Sequence, residues 1–252
     1  MYSNPRGIRS KMHSLHAILK QKEPDILVLV ESQLVGKNSI SIKGYDRIIM
    51  RNRSGKGGGI LVAARNQSNL QMITTEINAN NEQMWLQISD KTWKFNLCVA
   101  YGLQESRSTK EEIDDWYYNI EKAYAENQDE PTLIIGDLNA LVGNDEHGIK
   151  NNHPIINTNG EKLRSMTERR ELTILNATDK CTGQWTRIDP NRNNSIIDLV
   201  IANEDMTNIT KKIIVDEERN WALTRYRKIN GVPTEITSDH NTIFVEVEVK
   251  KN

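Results

Sequence analysis

Four apolar runs in this sequence stop at, or enclose, a polar side chain of a type that does chemistry. Glu31 follows Ile26-Leu-Val-Leu-Val30, and Asp137 and Asn139 follow Leu133-Ile-Ile-Gly136. Asp198 sits inside Ser195-Ile-Ile-Asp-Leu-Val-Ile201, and Ser238-Asp239-His240 immediately precedes an alternating apolar run. Singly, three of these have ordinary explanations: a solvated strand end for Glu31, a Gly-Asp-x-Asn turn, and a capped turn with a surface histidine. Asp198 could pair with a neighbouring lysine or arginine, but it is the exception, because an unpaired acid inside an apolar strand is costly. Together they are the parts for metal-assisted hydrolysis. Two carboxylates about 4 Å apart repel by about 4 kcal/mol at an intermediate dielectric. A hard divalent ion, Mg²⁺ or alternatively Mn²⁺, reverses that sign and takes oxygen ligands. A histidine held by an acid has its tautomer fixed and stays protonated beside an anionic substrate.

Positioning such groups requires a rigid frame, and the sequence supplies one. The 252 residues suffice for one large domain, and no linker, repeat or low-complexity stretch divides residues 1–252. The spacing predicts a helix over 9–22 and strands over 25–31, 46–50, 60–64, 70–77, 84–88 and 93–101. The first hundred residues thus read as one helix on a β-meander. The clearest helix is 109–127, with Ile113, Trp116, Tyr117, Ile120 and Tyr124 on one stripe and a Thr109–Glu112 capping box. A strand over 132–136, a polar loop over 141–160, a helix to Arg170 and strands over 172–175, 184–188, 196–201, 213–215 and 242–249 follow. The expected architecture is two packed β-sheets with helices outside.

Lysine plus arginine number 33 against 34 aspartate plus glutamate, a net charge of −1, so any binding of nucleic acid needs a local basic face. No apolar run reaches membrane-spanning length, and the two cysteines have no CxxC spacing, which fits a reducing intracellular setting. Gly57-Gly58-Gly59 reads as a hairpin turn, not a phosphate loop. His13, His16, His147 and His153 read as surface residues, and Arg225-Tyr-Arg-Lys228 as a basic-aromatic cluster.

In order and rough spacing, Glu31-Ser32, Gly136-Asp-Leu-Asn-Ala140, Ser195-Ile-Ile-Asp198 and Ser238-Asp-His240 resemble the endonuclease/exonuclease/phosphatase superfamily. Asn4 resembles its first-strand asparagine and Tyr101 its central tyrosine. Asn4-Pro-Arg-Gly-Ile-Arg-Ser-Lys11, Pro24-Asp-Ile-Leu27 and Gly57-Gly-Gly-Ile-Leu-Val62 are most similar to the apurinic-like endonuclease domains of non-LTR (LINE-type) retrotransposons. The resemblance implies a four-layered α/β sandwich. It implies a metal held by Glu31 and Asp239 with Asn4, and an attacking water oriented by Asp137 and held by Asn139. It implies His240, oriented by Asp198, as donor to the phosphate, with Tyr101 against the same phosphate. Contacts to double-stranded DNA are expected from Arg6, Arg9, Asn159, Thr186, Arg192 and Ser195, with Lys11 near them. The implied product is a nick with a 3′-hydroxyl that primes target-primed reverse transcription in the nucleus. The domain would be monomeric in isolation and fused to a reverse transcriptase in the full protein. The competing readings are a phosphatase or phosphodiesterase of the same superfamily on a lipid or small phosphate ester, and a non-catalytic DNA-binding relic.

Overall fold

The apolar runs form strands because both of their faces are covered. In chain order the elements are β1 (Tyr2–Ser3), α1 (Met12–Lys22), β2 (Ile26–Leu29), β3 (Arg47–Arg51), β4 (Ile60–Ala64), β5 (Gln71–Asn78), β6 (Gln83–Ser89) and β7 (Lys94–Tyr101). Then come α2 (Lys110–Ala125), β8 (Thr132–Asp137), α3 (Thr158–Arg169), β9 (Thr173–Ile174), β10 (Cys181–Thr182) and β11 (Asp198–Ala202). The chain continues through α4 (Glu204–Ile209), β12 (Thr210–Val215), β13 (Thr224–Ile229), β14 (Val232–Thr237) and β15 (Ile243–Val247). The structure is a computed structural model that describes residues 1–52, 58–78, 82–143, 155–191 and 193–248.

Two mixed sheets stack face to face. One has seven strands in the order β10-β12-β15-β1-β2-β4-β3, the other six in the order β5-β6-β7-β8-β11-β9. Val28, Val30, Ile60 and Val62 of the first meet Leu86, Leu97, Val99, Leu133, Ile135 and Val200 of the second. The residues between them in sequence point outwards. Leu27, Leu29, Leu61 and Ala63 pack under Leu15, Ile18 and Leu19 of α1. Cys98, Ile134, Leu199 and Ile201 pack under Ile113, Trp116 and Ile120 of α2 and Leu163 and Met166 of α3. Helix, sheet, sheet, helix are the four layers the sequence pattern implied. The Thr109–Glu112 capping box is formed in both directions, at 3.2 and 2.9 Å.

Several expectations need correction. The first hundred residues are not one meander: β1 to β4 lie in the first sheet, and only β5-β6-β7 form a meander, in the second. The expected strand over 184–188 is reduced to isolated bridges of Arg187 with Ser195 and His240, because Thr186 and Arg187 turn their side chains onto Ile197 N and Asp239 instead of packing in a sheet. The run over 172–175 forms only the two residues of β9 before a 3₁₀ turn. A short helix, α4, and the hairpin β13–β14 were not foreseen. The hairpin's signal was present: Asn230-Gly231 flanked by alternating residues is a strong two-residue turn motif, and both turn residues have positive φ, 51° and 80°. Gly57, His147, His153, Arg192 and Val249 lie outside the described residues.

Gly136 is required by close approach. A Cβ there would stand 1.8 Å from the Ala100 carbonyl oxygen on the neighbouring strand β7. Gly136→Ala is expected to lower stability by at least the roughly 1–3 kcal/mol typical of overpacking, measured as a shift in denaturation midpoint. An unshifted midpoint would show that the strands part easily.

Candidate active site

Register sets the centre of the site. Counting along the inward face of the second sheet gives Leu97, Val99 and Tyr101 on β7, Leu133, Ile135 and Asp137 on β8, and Ala202, Val200 and Asp198 on β11. Tyr101 pairs with Asp137 across β7/β8, and Asp198 pairs with Asp137 across β8/β11. The apolar core thus ends in a polar row of three side chains on adjacent strands. Alternation alone puts them there, since inward residues on a strand recur every two positions.

The first sheet supplies the opposing wall. Asn4, two residues after inward-facing Tyr2, donates through Nδ2 to Asp137 Oδ2 at 3.0 Å and to Glu31 Oε1 at 3.4 Å. Glu31 adopts a left-handed backbone, φ 47°, and its carbonyl accepts the Gly7 N–H at 2.8 Å. This conformation costs a non-glycine residue about 1–3 kcal/mol, strain of the kind found at functional sites. Tyr101 donates its hydroxyl to Glu31 Oε1 at 2.7 Å.

His240 closes the arrangement. Its Nδ1 lies 2.7 Å from Asp198 Oδ2 and its Nε2 lies 3.7 Å from Asp137 Oδ2. The other Asp198 oxygen accepts the Tyr2 hydroxyl at 2.6 Å. Burial disfavours the imidazolium, but Asp198 and Asp137 outweigh it and raise the pKa to about 9. Burial, then repulsion from Asp198, raises the Asp137 carboxyl against the attraction of His240. In the metal-free protein, ¹H–¹³C NMR of His240 is therefore expected to show an imidazolium at pH 7 that titrates near 9. A resonance titrating below the ordinary 6.5 would contradict the two-acid environment.

Asp239 faces two guanidiniums. Its Oδ2 accepts from Arg6 Nη1 at 3.0 Å and Arg187 Nε at 3.1 Å, while Oδ1 is buried without a partner. Burial opposes the charge, but His240 and Arg6 hold the carboxyl below its ordinary range. Asp137, Asp198 and His240 bring ligand atoms within 4.8 Å of one another. They are nevertheless a poor free donor set, since both Asp198 oxygens are committed and His240 carries a proton. Glu31 and Asp239, whose Oδ1 has no partner, are the carboxylates that fit a hard divalent ion; the Asn4 oxygen already accepts the Arg6 N–H at 3.0 Å, and its amide nitrogen only braces Glu31.

The other sequence-derived candidates touch this centre or lie buried behind it. Asn139, also left-handed at φ 49°, donates its N–H to Asp137 Oδ1 at 3.2 Å and its side-chain amide to Gly102 O at 2.8 Å. In this conformation its amide nitrogen braces the Asp137 loop instead of facing the cleft. Asn159 is fully buried and bonds Leu103 O at 2.8 Å and Asn139 O at 3.4 Å. Thr186 is fully buried, and its hydroxyl accepts the N–H groups of Ile197 and Asp198, each at 3.0 Å. Ser195 is buried and exchanges backbone hydrogen bonds with Arg187. Groups so enclosed orient the loops that carry Asp137 and Asp198, and of the three only Ser195 keeps any exposed surface, 7%. Lys11 is also buried and donates to Pro5 O. Arg6 and Arg9 are exposed, Arg6 against Asp239 at the site. Tyr2 and Arg187 were missed, and Ser238, read as part of its motif, had no role assigned; its hydroxyl donates to Asn4 O at 2.6 Å. Tyr2 had a usable signal: it stands two residues before Asn4, on the same face.

A two-sheet sandwich whose core ends in three acids, an amide and a protonated imidazole defines a class, the metal-assisted phosphoester hydrolases. The family is more definite. The model of the Endonuclease/Exonuclease/phosphatase family matches residues 2–240, and the chain belongs to that family. Among solved structures it is similar to the endonuclease domain of TRAS1, a telomere-specific non-LTR retrotransposon, at 17% identity over 99% of this chain and 98% of that one, TM-score 0.72. It is similar to a 3′–5′ exonuclease from Neisseria meningitidis at 15% identity, 98% of both chains and TM-score 0.72. An AP endonuclease from Archaeoglobus fulgidus matches at 13% identity, 98% of both chains and TM-score 0.68. Identities this low speak for the fold alone. A search of the curated proteins gives no match. No described helix is long and apolar enough to cross a membrane.

Proposed function

We propose that this domain is a Mg²⁺-dependent endonuclease that cuts one strand of duplex DNA and leaves a 3′-hydroxyl, and that it serves a non-LTR retrotransposon. The observation that carries the hydrolytic part is the in-register row Tyr101–Asp137–Asp198 facing Asn4 and Glu31. The choice of DNA over lipid or small esters is supported by the motif resemblance, by the likeness to the TRAS1 endonuclease domain and by Arg6, exposed against Asp239.

Magnesium, or manganese, held by Glu31 and Asp239 beside Asn4 would stabilise negative charge building on the phosphate. The chain's own groups do the rest. Asp137 Oδ2, fixed by Asn4 and by strand β8, accepts the proton of the attacking water. His240, oriented by Asp198, presents Nε2–H to a phosphate oxygen as charge grows on it. Tyr101 holds Glu31 in place through its hydroxyl. Because in-line displacement tolerates little misplacement, these groups stand on rigid strand ends and not on mobile tips. In the full protein a reverse transcriptase would follow the domain and extend the hydroxyl in the nucleus.

The chemistry of the ends tests this reading. Nicks made in supercoiled plasmid with Mg²⁺ are expected to be extended by a DNA polymerase without prior end repair. Release of inorganic phosphate from small esters with no nicking would instead favour the phosphatase reading.

A further inference from the structure

The hairpin β13–β14 forms a two-stranded sheet that pairs with neither large sheet. Its base is fastened to the active-site rim. Ser238 N donates to Leu223 O at 3.0 Å, Thr224 N donates to Ser14 Oγ at 3.2 Å, and β14 runs through Ser238 directly into Asp239 and His240. β13 packs against the 3₁₀ turn Arg9–Lys11. The charge of Arg225 reaches Lys11, and Lys11 in turn senses Asp239 and Glu31.

Beyond its half-buried base the hairpin is exposed on both faces from Tyr226 to Pro233, and an unpartnered two-stranded ribbon is marginal in water, so its retention at the rim calls for a partner. Its register identifies the chemistry. Arg225 pairs with Ile236 and Arg227 with Thr234, so both guanidiniums share one face with no acid. Lys228 lies on the opposite face with Tyr226, whose hydroxyl occupies the hairpin's one carboxylate, Glu235, at 2.9 Å. Three cations against one acid give the hairpin a charge of +2 in a chain whose net charge is −1. No described residue forms an ion pair with Arg225, Arg227 or Lys228. The tip beyond them is apolar: Ile229 is 44% and Val232 62% exposed, flanking the Asn230-Gly231 turn.

We infer that β13–β14 is a second DNA-binding element, whose Arg225/Arg227 face lies along the phosphates flanking the scissile one while the apolar tip enters a groove. The inference rests on the DNA reading above. Six-residue strands span roughly 20 Å, enough to follow several phosphates of one strand. A basic stem with an apolar tip matches duplex recognition, in which cations hold the backbone and apolar wedges enter between base steps.

The test is the salt dependence of binding, measured by fluorescence anisotropy of a labelled duplex without divalent cation. Loss of two phosphate contacts in Arg225→Ala/Arg227→Ala is expected to flatten the slope of log K against log salt by roughly 1.8. Arg225→Lys/Arg227→Lys, which keeps the charges, is expected to restore the slope, guarding against a folding artefact. Lys20→Ala/Lys43→Ala removes two exposed cations from the end of the sandwich remote from Glu31, and is expected to match wild type. A wild-type slope and wild-type nick positions in the double alanine protein would overturn the inference and leave the nuclease reading intact. Wild-type protein that neither binds nor nicks duplex would overturn both.

Discussion

Asp137→Asn is expected to slow Mg²⁺-dependent plasmid nicking by roughly 10²–10⁴-fold, the usual contribution of a positioned general base. The same change is expected to raise the thermal midpoint of the metal-free protein. The two effects have one cause. Burial and repulsion from Asp198 raise the Asp137 carboxyl above its ordinary 3.8. A carboxyl whose folded pKa exceeds its unfolded one favours folding most below the unfolded value. That contribution falls as pH rises from 3.8 to the folded value, and stays low above it. At pH 8 the charged group is therefore held at a cost, and the neutral isostere removes it, its oxygen keeping the 3.0 Å contact to Asn4 while its nitrogen gives up only the longer 3.2 Å bond from the Asn139 N–H. Equal nicking, or a lowered midpoint in metal-free buffer, would show that Asp137 serves to hold the fold.

Asp198→Asn is expected to cost about 10²-fold in turnover, the scale of a misplaced catalytic group, with little change in folding. One Asp198 oxygen accepts from Tyr2 and the other faces His240 Nδ1. In the asparagine protein, the oxygen that keeps the Tyr2 bond leaves the amide nitrogen to donate to Nδ1. The imidazole is then neutral, with its proton on Nε2. It still offers a donor to phosphate but no longer a positive charge. His240, raised to about 9 in the wild type, falls in the variant, so the deficit should be largest at alkaline pH and shrink as the solution is acidified. A purely structural lesion would give a deficit independent of pH, and an unchanged rate would remove Asp198 from the site.

The site was legible in the sequence wherever a polar residue interrupted an apolar strand. Asp198 announces itself because Leu199-Val-Ile is buried on both faces, leaving no innocent place for an acid, whereas Asp137, at the end of Leu133-Ile-Ile, reads alone as a turn and stands out only beside the other polar stations. Glu31 and the Ser238-Asp239-His240 segment needed the family resemblance, since a strand-end acid and a polar turn look alike in any surface loop. Pairing was not legible. That Tyr2 would reach Asp198 across the sheets, and that Arg6 and Arg187 would converge on Asp239, depends on contacts between residues 196, 233 and 52 positions apart. Thr186 and Asn159 show the opposite failure. Polar residues next to loops read as ligand contacts, but here the Thr186 hydroxyl and the Asn159 amide nitrogen are turned inward on backbone groups that would otherwise be buried unpaired. The hairpin β13–β14 was visible as a turn motif and as a basic cluster, but those two signals had to be joined before they described one element.

The central claim is that acids and a histidine spread along the chain act as one cation-dependent phosphodiester-cleaving centre. The most direct test follows conversion of supercoiled plasmid to open circles as Mg²⁺ is raised, with wild-type, Asp137→Asn and His240→Ala proteins side by side. Open circles should accumulate with the wild type only, in proportion to bound Mg²⁺, and cease when the metal is chelated. Nicking that persists in chelator or in either variant, or wild-type protein that leaves the plasmid supercoiled at every Mg²⁺ concentration, would contradict it.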